Sequence, residues 1–245
     1  VGEGFGAYPM GWDADVLALV TSANVACGFH AGDPTVIDRT VALAVQAGVA
    51  LGAHPGHWDL RGFGRRAIPV DPAELEQDVL YQVGAVQAFA RAHGARLRHV
   101  KPHGALYNQA ADDDALARAI ARGVARADRD LVLVGLASSA AMRAAAAAEG
   151  LRFAAEAFAD RRYDGRGRLV SRQVAGAVIT DPAEASAQAV RIAASGRVQS
   201  TDGGEVEVQA DTLCLHGDNP SAVANARAVR QALEAAGVVL RPLTA

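Results

Sequence analysis

Four histidines stand where an apolar run gives out: His30 in CGFHAGDP (residues 27–34), His54 in GAHPG, His103 in KPHG and His216 in CLHGDNP. Beside them are further groups that can move protons or hold charge: Asn24 and Asp33 near His30, Lys101 near His103, Glu156 with Asp160 and Arg161, and Asp218 beside His216. Imidazole next to carboxylate is the pairing from which general acid–base chemistry at neutral pH is built. The set argues more strongly than its members. Asp33 and Asp218 adjoin proline-containing turns and can equally be loop or helix-start residues. His54 alone can be a satisfied core side chain, but four histidines at equivalent places make independent core roles the weaker reading. His57, His93 and His99 lack this setting, and His93 and His99 read as structural or surface residues.

Lys101 precedes Pro102 near the end of an apolar strand, where an ammonium is costly unless it meets an anion. A ligand phosphate or carboxylate would supply one, and an ion pair with Glu156 or Asp160 would do so equally well. RGFGRR (residues 61–66), which contains Arg65, offers guanidiniums and flexible amides, either as an anion-binding loop or lid or as a solvated basic loop. The chain has no G-x-x-x-x-G-K-[ST] loop, H-E-x-x-H, paired C-x-x-C or G-x-S-x-G elbow. GEGFG (residues 2–6) has glycine spacing without a preceding strand and is a weak nucleotide signal.

What must position these residues is a regular alternation. Short apolar runs at 18–27, 49–54, 97–102, 131–137, 151–158 and 212–216 read as strands, with helices in most of the gaps. Asp33-Pro34, Asp71-Pro72, Asp181-Pro182 and Asn219-Pro220 each put a capping side chain before a proline at a helix start. Within 72–93, Leu75, Val79, Val83, Val86 and Ala90 recur at helical spacing, one face for a sheet. Strand and helix in alternation imply right-handed crossovers and parallel strands. Polar, chemically capable residues follow nearly every strand, which favours a closed β/α barrel over an open sheet with one switch point. RVQSTDGGEVEV, near 197–210, reads as a hairpin excursion from a single domain spanning 1–245.

The chain's 245 residues are 51% hydrophobic with a net charge of -3 and no basic run interleaved with aromatics, so neither nucleic acid nor a membrane surface is the expected partner. A small molecule is. Cys27 and Cys214 lie in apolar runs and read as buried reduced thiols; with no spanning segment and no signal peptide, the expected compartment is the cytoplasm. The chain opens on VGEGFG without an initiator Met, from which residues upstream are expected.

GEGFGAY, TSANVACGFHAGDP, GVALGAHPGHWDLRGFGRR, VLYQVGA, HVKPHGALYN, FADRRYDGRGRLVSR and CLHGDNP, in this order over nearly the whole chain, resemble the LamB/YcsF family. The resemblance implies a seven-stranded β/α barrel of the glycoside hydrolase/deacetylase type. The family's first strand, roughly D-L-N-x-D before Gly-Glu, is missing ahead of Gly2. It also implies ATP-hydrolysing 5-oxoprolinase activity, opening 5-oxoproline (pyroglutamate) to L-glutamate together with two partner subunits, B and C, one of which can hold the ATP. On that footing the catalytic candidates are Glu3, His30, His54, Lys101, His103, His216 and Asp218. Asn24, Asp33, Arg65, Glu156, Asp160 and Arg161 are candidates for binding substrate. His and Asp around a barrel mouth can also hold a divalent metal, so a self-sufficient metal-dependent amide hydrolase or deacetylase is a second reading. A noncatalytic 5-oxoproline-binding role is a third.

Overall fold

The computed structural model describes residues 1–243. Helix α1 (Asp13–Leu17) leads into β1 (Ser22–Ala26), α2 (Pro34–Gln46), β2 (Ala50–His54), α3 (Pro72–Ala92) and β3 (Leu97–Val100). Two helices, α4 (Gly104–Ala110) and α5 (Asp114–Ala127), then precede β4 (Val132–Leu136), α6 (Ala140–Ala148) and β5 (Arg152–Phe158). A long irregular excursion reaches α7 (Pro182–Ser195), the hairpin β6 (Arg197–Gln199) and β7 (Glu205–Glu207), then β8 (Thr212–Cys214) and α8 (Ala222–Ala235).

The six strands expected from the apolar runs all form, and they make one parallel sheet in the order β1-β2-β3-β4-β5-β8, curled into a half-barrel. Every residue of β4 is buried, as expected of a parallel strand covered on both faces. Outside it, α3 turns Leu75, Val79, Val83, Val86 and Ala90 inward, all almost fully buried. The resemblance implied seven strands, whereas the described residues give this sheet six. At its β1 edge the Val1 amino group donates to the Asn24 carbonyl at 3.0 Å, and the Val1 carbonyl accepts from the Ala26 amide at 3.1 Å. β6 and β7 pair antiparallel in a separate small sheet.

Three of the four proline-marked starts are capped as expected. Asp33 accepts from the Thr35 and Val36 amides, Asp71 from Ala73 and Asp181 from Ala183, contacts each worth about 1 kcal/mol. Asn219 differs: its Oδ1 accepts from the Ser221 amide at 3.0 Å in a turn, and α8 begins only at Ala222. Cys27 and Cys214 are free and buried. Among the described residues no helix is long and apolar enough to cross a membrane.

Candidate active site

Because parallel strands deliver their carboxyl ends to one face, residues far apart in sequence meet there. A cavity of about 760 Å³ opens on that face, within the range that encloses a small ligand. His54, Lys101, His103, His216 and Asp218 line it, as do Glu3, Asn24, Arg65 and Arg161. Glu156 and Asp160 stand directly behind wall residues, and His30 stacks behind His103.

Asp33 is the exception. Its carboxylate is consumed by the Thr35 and Val36 amides and, at 2.6 Å, by the Gly6 amide. It ties residue 6 to the start of α2 and does not reach the cavity, so the structure makes it an anchor and not a substrate contact. Asn24 lines the cavity, but its Oδ1 is joined to His99 Nε2 at 2.8 Å. His99 is buried with its ring against Gly52, where an added Cβ would lie 2.1 Å from Nε2.

His216 follows β8, and Asp160 follows β5, its neighbour in the sheet. The buried Asp160 carboxylate accepts from the His216 backbone amide at 2.9 Å and from ring Nδ1 at 2.9–3.0 Å. That fixes the proton on Nδ1 and leaves Nε2 as a lone pair on a cavity-lining ring. Burial lowers the His216 pKa and Asp160 raises it, with a net lowering, so the imidazole is neutral at pH 7. A base oriented by a buried carboxylate is the arrangement that proton abstraction from water requires.

Across the mouth, Arg65 from the β2–α3 loop pairs with Asp218 from the β8–α8 loop. Burial raises the Asp218 carboxyl, but Arg65 and His216 outweigh it and bring the pKa to about 2. Glu3 nearby is raised by burial, with the Asp218 charge adding to the shift. Arg65 is presented by a tightly tied turn. Arg66 pairs with Asp59, and the Asp59 carboxylate also takes the Gly62 amide. Phe63 is held at φ 55°, aiming its carbonyl at His103. Positive φ in an aromatic residue is strained and persists only where its surroundings enforce it. Gly64 follows at φ 62°, and an added Cβ there would lie 2.7 Å from the His30 Cβ.

Lys101 meets its anion inside the protein. Its Nζ lies 2.8 Å from Glu156 Oε2 and 3.0 Å from Cys214 Sγ, over the Phe158 ring. Burial would lower its pKa, but Cys214 and Glu156 hold it above the usual lysine value. Of the two partners open from sequence, the structural ion pair with Glu156 is the one present.

His54 and His103 form a chain between two carbonyls. His54 Nδ1 reaches the Lys101 oxygen at 2.6 Å, and His103 Nε2 reaches the Phe63 oxygen at 2.8 Å. The inner nitrogens, His54 Nε2 and His103 Nδ1, face each other at 3.2 Å. Burial depresses both rings, His103 to about 3. Two neutral imidazoles have one N–H each, and both are used on the carbonyls. The middle contact therefore brings lone pairs together, and a proton entering the pair would bridge them.

Glu3, His30 and His103 bring ligand atoms within 4.8 Å of one another, the closest approach to a metal set among the described residues. The His30 and His103 rings, however, are parallel within 3° at 3.7 Å. An imidazole binds a metal through a lone pair in its own plane, and two stacked planes share no point. With His103 Nε2 also committed to the Phe63 carbonyl, the three residues as arranged do not fit one divalent ion.

Sequence reasoning missed the second arginine of the wall. Arg172 lines the cavity beside Arg161, both carried by the excursion after β5. The signal was the arginine-rich run at 161–172, which has no strand or helix period to place it. His57, set aside from the site, is buried with Nε2 2.7 Å from Gln109 Oε1.

Fold and site together define an α/β half-barrel protein whose strand ends carry a carboxylate-held histidine and a cationic wall. Residues 1–245 match the LamB/YcsF family throughout, and the chain belongs to that family. It is 56% identical over 240 residues to the 5-oxoprolinase A subunit of Nocardia farcinica, covering 98% of this chain and 95% of that one. It is 54% identical over 241 residues to the 5-oxoprolinase A subunit of Heliobacterium modesticaldum, covering 98% and 94%. Among solved structures, the lactam utilization protein from Thermus thermophilus superposes with a TM-score of 0.92 at 51% identity, covering 98% of this chain and 96% of that one.

Proposed function

We propose that this chain is the A subunit of an ATP-dependent 5-oxoprolinase, acting as one domain in the cytoplasm with two partner subunits, B and C. The observation that carries the reading is near-full-length identity above half to proteins of that name. The carboxylate-held His216 and the cationic cavity wall support the ring-opening step.

A five-membered lactam is a poor electrophile. Phosphoryl transfer from ATP to the amide oxygen makes the ring carbon attackable by water at neutral pH. Neither the sequence nor the cavity offers a phosphate loop of the familiar kind, which supports placing the nucleotide site on one of the partners. In this chain His216, oriented by Asp160, takes a proton from the attacking water at Nε2. The carbon–nitrogen bond then breaks as the nitrogen is protonated, and a second water hydrolyses the acyl phosphate to glutamate and phosphate. Glu3, which lines the cavity and is held toward its acid form by burial, returns the proton. Asp218 keeps Arg65 across the mouth, where the guanidinium meets the substrate's carboxylate. The His54–His103 pair, kept neutral by burial, spans the wall between the Lys101 and Phe63 carbonyls. Lys101 and Glu156 set the wall behind it.

The test is reconstitution with subunits B and C, ATP and 5-oxoproline, comparing His216→Asn with the parent chain. A loss of about 10²–10⁴-fold in glutamate release is expected for removal of a general base. Unchanged turnover would remove His216 from the mechanism and favour a noncatalytic, substrate-binding role.

A further inference from the structure

Seven cationic side chains line the cavity, and five have a carboxylate partner. Lys101 pairs with Glu156, Arg65 with Asp218, Arg66 with Asp59, Arg168 with Asp112 and, more loosely, Arg166 with Asp164. Arg161 and Arg172 have no ion pair among the described residues. Arg161 is 4% exposed; its Nη2 donates to the Val170 carbonyl at 2.6 Å, and its Nε is buried with no partner. Arg172 likewise buries Nη2 with no partner. Leaving charged donors unmet inside a protein is expensive, and two adjacent guanidiniums add mutual repulsion. Burial and then Arg172 bring Arg161 to about 10 against a partial offset from Asp160, and burial and then Arg65 lower Arg172 against Asp218 and Asp160.

We infer that Arg161 and Arg172 form a subsite for a phosphoryl-type dianion on the cavity wall. Two guanidiniums without an ion pair and at least two N–H groups without a partner match an oxyanion with two charges and several acceptor oxygens. A single carboxylate would neutralise only one of them, and the substrate's carboxylate already has Arg65. Asp160 lies next to Arg161 in sequence, so the subsite adjoins the His216–Asp160 base. As a statement about substrate, this rests on the proposed function: the group seated there is the phosphoryl of the activated lactam, next to the carbon that water attacks.

Binding of inorganic phosphate to the full chain, without partners or ATP, tests the subsite apart from that function. Calorimetry at pH 8, where phosphate is mostly dianionic, should show binding to the parent chain, with acetate binding at least tenfold more weakly. Arg161→Gln and Arg172→Gln should each weaken phosphate binding at least tenfold. Arg172→Lys, which keeps the charge and loses the fork, should fall between, and provides a second reading if Arg161→Gln does not fold. Sulfate, dianionic throughout, should bind equally at pH 6 and pH 8 while phosphate weakens at pH 6. Phosphate binding that survives the Arg172 changes, or acetate binding as tight as phosphate, would overturn the subsite. Intact phosphate binding in a chain that supports no glutamate release with subunits B and C would instead overturn the 5-oxoprolinase reading and leave the subsite standing.

Discussion

Replacing Asp160 by Asn isolates the orientation of His216 from its presence. The carboxylate is almost fully buried and takes two N–H groups of His216, one from the backbone and one from ring Nδ1, each near 2.9 Å. Asparagine has the same shape and can keep the backbone contact with its oxygen at the Oδ2 position, 2.9 Å from Nδ1, but its NH₂ then replaces Oδ1, 3.0 Å from the same ring nitrogen. The NH₂ opposes a proton on Nδ1 and makes Nδ1 an acceptor in the competing tautomer, which moves the ring proton to Nε2 and removes the lone pair from the cavity. The loss expected is about 10²–10⁴ in kcat, equivalent to about 3–5 kcal/mol of transition-state stabilisation. The folded state loses one charge-assisted hydrogen bond, about 1.5–3 kcal/mol. The assay is glutamate release by the reconstituted complex across pH 5 to 8, with a thermal melt as the folding control. His216 lies below its ordinary pKa, so parent activity is retained above about pH 6.5 and falls on acidification as Nε2 is protonated. Asp160 is the group that raises His216, so the variant's residual activity should have its acid limb at lower pH. A folded Asp160→Asn protein within about threefold of the parent, or with its limb moved upward, would refute the assignment.

Lys101→Met leaves the Glu156 carboxylate buried and unpaired, which should cost about 3–5 kcal/mol in urea unfolding, while Lys101→Met with Glu156→Gln should recover most of that. His99 and His103 are depressed to about 4 and about 3, so their native forms are neutral and the unfolded chain takes up the protons. Stability is therefore full above about pH 6.5 and declines on acidification. By pH 5 each ring should have cost about 2 kcal/mol, measurable as a falling melting temperature. Gly64→Ala puts a methyl group at φ 62° against His30 and should destabilise by about 1–3 kcal/mol while loosening the Phe63–His103 contact, seen as a joint loss of melting temperature and turnover. Zn²⁺ titrated into the chain should show no calorimetric site that His30→Ala abolishes, since the stacked rings share no ligand plane.

The parallel sheet was legible because each strand is a short apolar run and each helix start is written locally, by Asp before Pro at Asp33, Asp71 and Asp181. Convergence of His54, His103 and His216 followed from topology alone, since parallel strands share their carboxyl ends. What stayed hidden depended on partners chosen in three dimensions. Asp33 and Asp218 occupy almost the same local sequence, yet one is spent on three backbone amides and the other crosses the barrel mouth to Arg65. Nothing local separates them. Lys101 had two possible anions until β5 and β8 set Glu156 and Cys214 beside it. His99 could have been read better: it sits two residues before Lys101 on one strand, so both side chains face the same way. Arg172 lies in an excursion with no period, where sequence fixes composition and not position.

The most direct test of the whole account is glutamate release from 5-oxoproline by this chain, measured with and without ATP and with and without subunits B and C. Release only when chain, both partners and ATP are all present is the predicted result. Release by the isolated chain without ATP would contradict it and make the protein a self-sufficient amide hydrolase.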